Sequence, residues 1–173
     1  MDSGELTVTA VAELYGLEPL PVEGGLFRRT WAGPLDATGR PTGSAIMALF
    51  AAEDELFSAM HRLPLDEVWH FYLGDSLELL LLHPDGSAGV EVLGRDVLAG
   101  QRVQLTVPAG TWMGAQVAPG GRWSLCGTTM APGFVPEDYE GGDLDTLLAE
   151  YPAAAEKIRM LCRRDAPLRL SEE

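Results

Sequence analysis

"EVWHFYLGDSLELLLLHPDGSAGVEVLGRDVLAGQRVQLTVPAG", residues 67–110, divides into four apolar runs of strand length set apart by turn formers. The runs are "EVWHFYL", "SLELLLLH", "GVEVLG" and "RVQLTVP", and "PDG", "GRD" and "PAG" mark turns. Glycine supplies the positive φ of tight turns, proline presets the entering residue, and aspartate bonds its own backbone two residues on. Upstream, "SAIMALFAA" and "LFSAMHRL" read as strands; downstream, so do "TWMGAQVA" and "RWSLCGTTMA", with "PGG" between them. Seven or eight short strands without intervening helices specify an antiparallel sandwich or barrel.

Helical spacing appears only at the two ends. In "TVTAVAELYGL", Val8, Val11, Ala12 and Tyr15 share one face and Gly16 stands as terminator. The prolines and paired glycines of "PLPVEGG" then bar a helix, and "LFRRTW" extends as a strand. Near the other end, Leu144, Leu147, Leu148 and Tyr151 follow helical spacing behind Asp143 as N-cap. Pro152 opens a second helix, "PAAAEKIRMLCRR", whose basic end suits the negative pole of its dipole. The closing "LSEE" reads as loose. We expect one domain over 1–173, with a barrel core at about 20–135 and a helical segment at about 143–164.

The chain has 173 residues and a formal charge of -14, from 26 acidic and 12 basic side chains. Such a surface repels phosphate backbones and anionic lipid, which argues against nucleic-acid and membrane-surface partners. The N-terminus has no basic region followed by an apolar core, and "LELLLL" is far too short to span a bilayer, so a cytoplasmic location is expected. Two distant cysteines, Cys126 and Cys162, form neither a disulfide scaffold nor a zinc site.

The polar residues that stand out lie in "HRLPLDEVWHFYLG", residues 61–74. Strand alternation puts Glu67, Trp69 and Phe71 on one face and Val68, His70 and Tyr72 on the other, unless a bulge intervenes. A carboxylate and an imidazole in an apolar cavity either fix a barrel corner as a satisfied pair or act as an acid/base pair. In "LFRRTW" only one of Arg28 and Arg29 can face inward. An inward arginine would anchor a carboxylate, phosphate or enolate oxygen. "EGG", Glu23 to Gly25, is followed by neither helix nor lysine, which excludes a phosphate-cradling loop.

His61, Glu67 and Gly74 resemble the first signature of the cupin superfamily, taking its first-histidine, glutamate and closing-glycine positions. "VPAGTWMGAQ" approximates the second signature through Pro108 and Gly110. "LPVEGGLFRRTW", "FSAMHRLPLDEVWHFYLGD", "VLAGQRVQLTVPAGTW" and "GTTMAPGF" are similar to the small single-domain cupin group of unknown function, Cupin_5-like, over about 15–151. The resemblance implies a mainly β fold, an antiparallel double-stranded β-helix (cupin jelly-roll barrel) with an N-terminal helix and C-terminal helices.

Metal-binding cupins supply three histidines and a glutamate. Here the second histidine position is Leu63 and the last is Met113, poor donors for iron, manganese, nickel or zinc. No cofactor is therefore expected, a divalent metal being the lesser alternative. The resemblance makes His61 and Glu67 catalytic candidates, and His70, which would replace a missing histidine if a bulge after Glu67 turned it inward, is the third. Arg28, preferred to Arg29 on motif position, joins Met47, Trp69, Phe71, Tyr72, Trp112 and Met113 as ligand-binding candidates. Together they describe a metal-independent isomerase, epimerase or cyclase acting on a small, partly apolar carbonyl metabolite, with Arg28 or Tyr72 steadying an enolate oxygen. The alternatives are a non-catalytic binding cupin and a metal-dependent oxygenase or decarboxylase. The group's habit of pairing implies a homodimer that exchanges "GGLFRRTW".

Overall fold

The run "LELLLL" carries no alternation of polar and apolar residues because both of its faces are covered. Leu77, Leu79 and Leu81 point into a barrel, while Leu80 and Leu82 point outward under helices. The chain, seen as a computed structural model, is described over residues 6–170; the end at 171–173, read as loose, lies outside them. Its strands are β1 (Glu18–Pro19), β2 (Leu26–Ala32), β3 (Ser44–Ala51), β4 (Ser58–Arg62), β5 (Glu67–Gly74) and β6 (Leu77–Leu82), followed by β7 (Ala88–Leu93), β8 (Gln104–Val107), β9 (Trp112–Val117), β10 (Trp123–Met130) and β11 (Glu140–Gly141). One sheet has the order β1-β2-β3-β10-β5-β8 and the other β11-β4-β9-β6-β7. Their strand pairs are antiparallel, and the two inner faces close a jelly-roll barrel around Trp69, Leu79, Met113 and Cys126.

Turn chemistry fixes the register. At the β6–β7 hairpin the Asp85 carboxylate accepts from the Ser87 backbone N–H at 2.9 Å and its hydroxyl at 2.6 Å, and Gly86 takes φ 88°. Between β5 and β6, Gly74 also sits at φ 88°, and a Cβ there would lie 2.5 Å from the Trp123 carbonyl oxygen.

Helices cover the outer faces. Helix α1 (Val8–Tyr15) is capped by the Thr7 hydroxyl, which accepts from Ala10 N–H at 3.1 Å, and ends at Gly16 in the left-handed region. It buries Val11 against Leu49, Trp123 and Leu125 on the six-stranded sheet. Helices α2 (Leu144–Glu150) and α3 (Ala155–Leu161) pack Leu147, Ile158 and Leu161 on Met60, Leu82 and Trp112 of the five-stranded sheet. The second of these helices is shorter than its sequence suggests. Pro152–Ala154 is a 3₁₀ turn, and Cys162 is already extended, so the basic pair Arg163 and Arg164 lies beyond the helix. Strand β2 pairs with this chain's own β3, from Leu26↔Leu49 to Ala32↔Ser44. No helix among the described residues is long and apolar enough to cross a membrane.

Candidate active site

A cavity of about 460 Å³ opens at one end of the barrel. Its walls are Phe27, Ile46, Ala48, Phe50, Leu63, Trp69 and Met130, and its polar groups are Glu23, Arg28, Arg29, His61, Glu67, Thr128 and Tyr139. This size suits a small-molecule ligand, and a few convergent polar groups on apolar walls are the usual make-up of such a site.

An irregularity in β4 builds the floor. Ser58 pairs with Ala115 and His61 with Met113, so three steps on β4 match two on β9. Residues three apart on a regular strand face opposite ways; the extra residue puts Ser58 and His61 on the same inner face. The bulge also frees backbone groups, and the site uses them. Ala59 N–H donates to the Glu23 carbonyl at 2.9 Å, and the Ala59 carbonyl accepts from His61 Nδ1 at 2.7 Å. A carbonyl only accepts, so the proton of the neutral ring sits on Nδ1 and Nε2 is left for the cavity.

Glu23 meets that nitrogen from a tight turn. Its N–H donates to the Pro21 carbonyl at 2.7 Å around Val22, which takes φ 66°, a costly conformation for a β-branched residue. The Glu23 carboxylate accepts from the Ser58 hydroxyl at 2.7 Å, and the same oxygen lies 3.7 Å from His61 Nε2. The imidazole is 2% exposed and stacks on Tyr139, with ring centroids 5.4 Å apart at 15°.

Glu67 projects inward from the start of β5 and is 7% exposed. It accepts from the Trp69 indole N–H at 3.0 Å and from the Thr128 hydroxyl. Burial raises its pKa from the ordinary 4.5 to about 7; Glu23 adds to the rise, while His61 and the two hydrogen bonds oppose it. Burial, then Glu23, also pushes the Tyr139 phenol above its usual range, so its O–H stays protonated at neutral pH.

The segment that delivers Tyr139 is stapled on both sides. Arg40 forms two bonds to Asp138, at 2.6 and 3.0 Å, and one to the Gly133 carbonyl at 2.9 Å. Arg62 grips Glu140 at 2.7 and 3.1 Å and lies over the Trp112 ring. Leu170 completes the lining, and beside it Arg169 donates to the Tyr139 carbonyl at 3.1 Å.

Residues 9–141 match a family model described as "Cupin superfamily (DUF985)". The chain belongs to this family. Protein SO0799 from Shewanella oneidensis has a similar structure, with a TM-score of 0.85 at 31% identity, over 93% of this chain and 100% of that one. A hypothetical protein from Leishmania major aligns with a TM-score of 0.80 at 26% identity, over 91% and 99%. An oxalate decarboxylase variant from Bacillus subtilis aligns with a TM-score of 0.55 at 12% identity, over 89% of this chain and 39% of that one, a likeness of fold alone. A search of curated proteins gave no match.

The cupin metal set does not fit these residues. Leu63 and Met113, at the second and last histidine positions, are 3% and 2% exposed and belong to the apolar barrel core. Among the described residues no group of three or more His, Cys, Asp or Glu side chains is placed to hold a metal ion.

The other sequence candidates scatter. His70 and Tyr72 are on the outer face of β5, stacked at 6.3 Å, with His70 Nε2 3.1 Å from the Thr129 hydroxyl. A bulge does occur in β5, but it falls at Tyr72, where Leu73 pairs with Leu125 and Phe71 with Cys126, too late to turn His70 inward. Met47 lies under α1 and Trp112 under α2 and α3, because the outer faces of this cupin are apolar too. Phe71 and Met113 pack in or against the barrel core away from the cavity, and of the apolar candidates only Trp69 lines it. Arg28 pairs with Met47 on the outer side and donates to the Tyr15 carbonyl at 3.3 Å, whereas Arg29 pairs with Ile46, a cavity residue; both arginines line the cavity.

Glu23 and Tyr139 escaped the sequence reading. "EGG" by itself suggests nothing but a phosphate loop, and nothing local in "PEDYEGG" says that Tyr139 returns to stack on His61. The spacing of Ser58 and His61 held the one available signal, since two polar residues of odd separation in a buried strand imply a bulge.

Proposed function

We propose that this cupin binds a small, partly apolar carbonyl compound and moves a proton on it without a metal, as an isomerase, epimerase or cyclase does. The observation that carries the reading is the arrangement of His61 and Glu67 in one apolar cavity, with Nε2 the free nitrogen of the imidazole and Glu67 titrating near 7. His61 Nε2 takes a proton from the carbon beside the carbonyl, and the electron pair moves onto the carbonyl oxygen. Protonated Glu67 supplies a proton to that oxygen or to the adjacent carbon. The imidazolium so formed is stabilised by the Glu23 carboxylate at 3.7 Å, and the Tyr139 phenol steadies the developing oxyanion. Return of the protons resets the site.

The test is exchange of α-protons in deuterated water, followed by NMR, for small ketones with a branched or aromatic substituent. Wild-type protein is expected to accelerate exchange, and His61→Ala and Glu67→Gln to lose it by about a hundredfold or more. Exchange unchanged in His61→Ala, or ligand binding without exchange in wild type, would overturn the enzymatic reading. We also propose that the protein forms a homodimer through the "GGLFRRTW" strand; sedimentation is expected to show a dimer, and a concentration-independent monomer would overturn this.

A further inference from the structure

We infer that Arg29 is an anion anchor at the cavity mouth, and that the ligand is a carbonyl compound bearing a carboxylate. The inference rests on the proposed function in one respect, that this cavity takes the carbonyl compound.

Three observations carry it. First, the register decides between two adjacent arginines. Phe27 pairs with Ala48 and Arg29 with Ile46, and all four line the cavity; Leu26 and Arg28 pair with Leu49 and Met47, which lie under α1, so Arg28 reaches the lining from the outer face. Arg28 is engaged there by the Tyr15 carbonyl. Second, the Arg29 side chain makes no hydrogen bond or ion pair among the described residues. In a chain of net charge -14, several other arginines are held by carboxylates: Arg40 by Asp138, Arg62 by Glu140 and Arg102 by Glu91. A guanidinium unpaired at the rim of an apolar cavity keeps its planar donor fork for an incoming anion.

Third, the charge layout selects a carboxylate over a phosphate. The lining carries Glu18, Glu23 and Glu67 but no lysine, and the helix end nearest the mouth is the C-terminus of α1 at Gly16. Of the two lining arginines Arg28 already donates to the Tyr15 carbonyl, so the unbonded Arg29 guanidinium is left to pair with a single negative charge held away from the floor. A dianion would face the Glu18 and Glu23 carboxylates and the negative pole of a helix with too few donors. The ligand therefore spans the cavity, its carboxylate at Arg29, its apolar body against Phe27 and Ile46, and its carbonyl toward His61.

The probes are 4-methyl-2-oxopentanoate, its methyl ester and the neutral ketone 4-methyl-2-pentanone, with binding measured by calorimetry on wild type, Arg29→Gln, Arg29→Lys and Arg28→Gln. Wild type is expected to bind the acid at least about tenfold more tightly than the ester or ketone. Arg29→Gln would bring the acid to the level of the ester, Arg29→Lys would keep part of the preference, and Arg28→Gln would keep it all. Equal binding of acid and ester, a preference lost in Arg28→Gln but kept in Arg29→Gln, no binding of the acid, or tighter binding of the matching phosphonate would each overturn the anchor. Binding and exchange separate the two proposals. A preference dependent on Arg29 without proton exchange leaves the anchor standing and removes the catalysis. Exchange as fast on the neutral ketone as on the acid does the reverse.

Discussion

Glu67 is held where ionisation is costly, and that cost is measurable. Its pKa rises from 4.5 to about 7 on burial, so the folded protein binds a proton at this carboxyl more tightly than the unfolded chain does. Stability from this group is fully present below about pH 4.5 and is lost as pH climbs through about 7, amounting to about 3 kcal/mol once it is ionised. In Glu67→Gln that dependence is gone. Thermal unfolding between pH 5 and pH 8 is therefore expected to show Tm falling more steeply in wild type than in the variant. Parallel curves would mean that Glu67 is not desolvated. That His61 and Glu67 belong to one stretch of the lining was legible in the sequence because a motif carries both, whereas the carboxylate beside the imidazole, Glu23, was not. The choice between Arg28 and Arg29 was not, because alternation says that two neighbours differ in face and only the partner strand says which face is which.

At the scale of elements, the hairpins were readable and the outward faces were not. "PDG" and Gly74 mark real turns because aspartate and glycine perform there what no apolar residue can. Met47 and Trp112 misled because helices cover both sheets outside, so apolar side chains occur on either face and residue type stops reporting direction. Gly74 gives the sharpest test of an element. Replacing it with alanine forces a left-handed backbone on a residue with a side chain and drives Cβ to 2.5 Å from the Trp123 carbonyl oxygen. We expect a loss of more than about 2 kcal/mol in urea unfolding. A change below about 0.5 kcal/mol would show that the β5–β6 turn relaxes freely.

Across the whole molecule, a net charge of -14 works against compactness. Salt has two opposing effects here. It screens the general repulsion among carboxylates, and it weakens pairs such as Arg102–Glu91 and Lys157–Glu78. Exposed and half-exposed pairs contribute no more than about 1 kcal/mol each, so relief of repulsion wins. Tm is expected to rise between about 10 and about 200 mM NaCl; a fall would mean that the ion pairs dominate.

The extra residue in β4 has a consequence for the family at large. Ser58 and His61 face the same way only because the chain is one position longer there than its neighbour β9. A single-codon deletion between them would leave every polar group of the floor in the gene and yet turn one of the two toward the helices. Relatives that share the identities of this floor but not the count would keep the barrel and lose the arrangement of its polar floor.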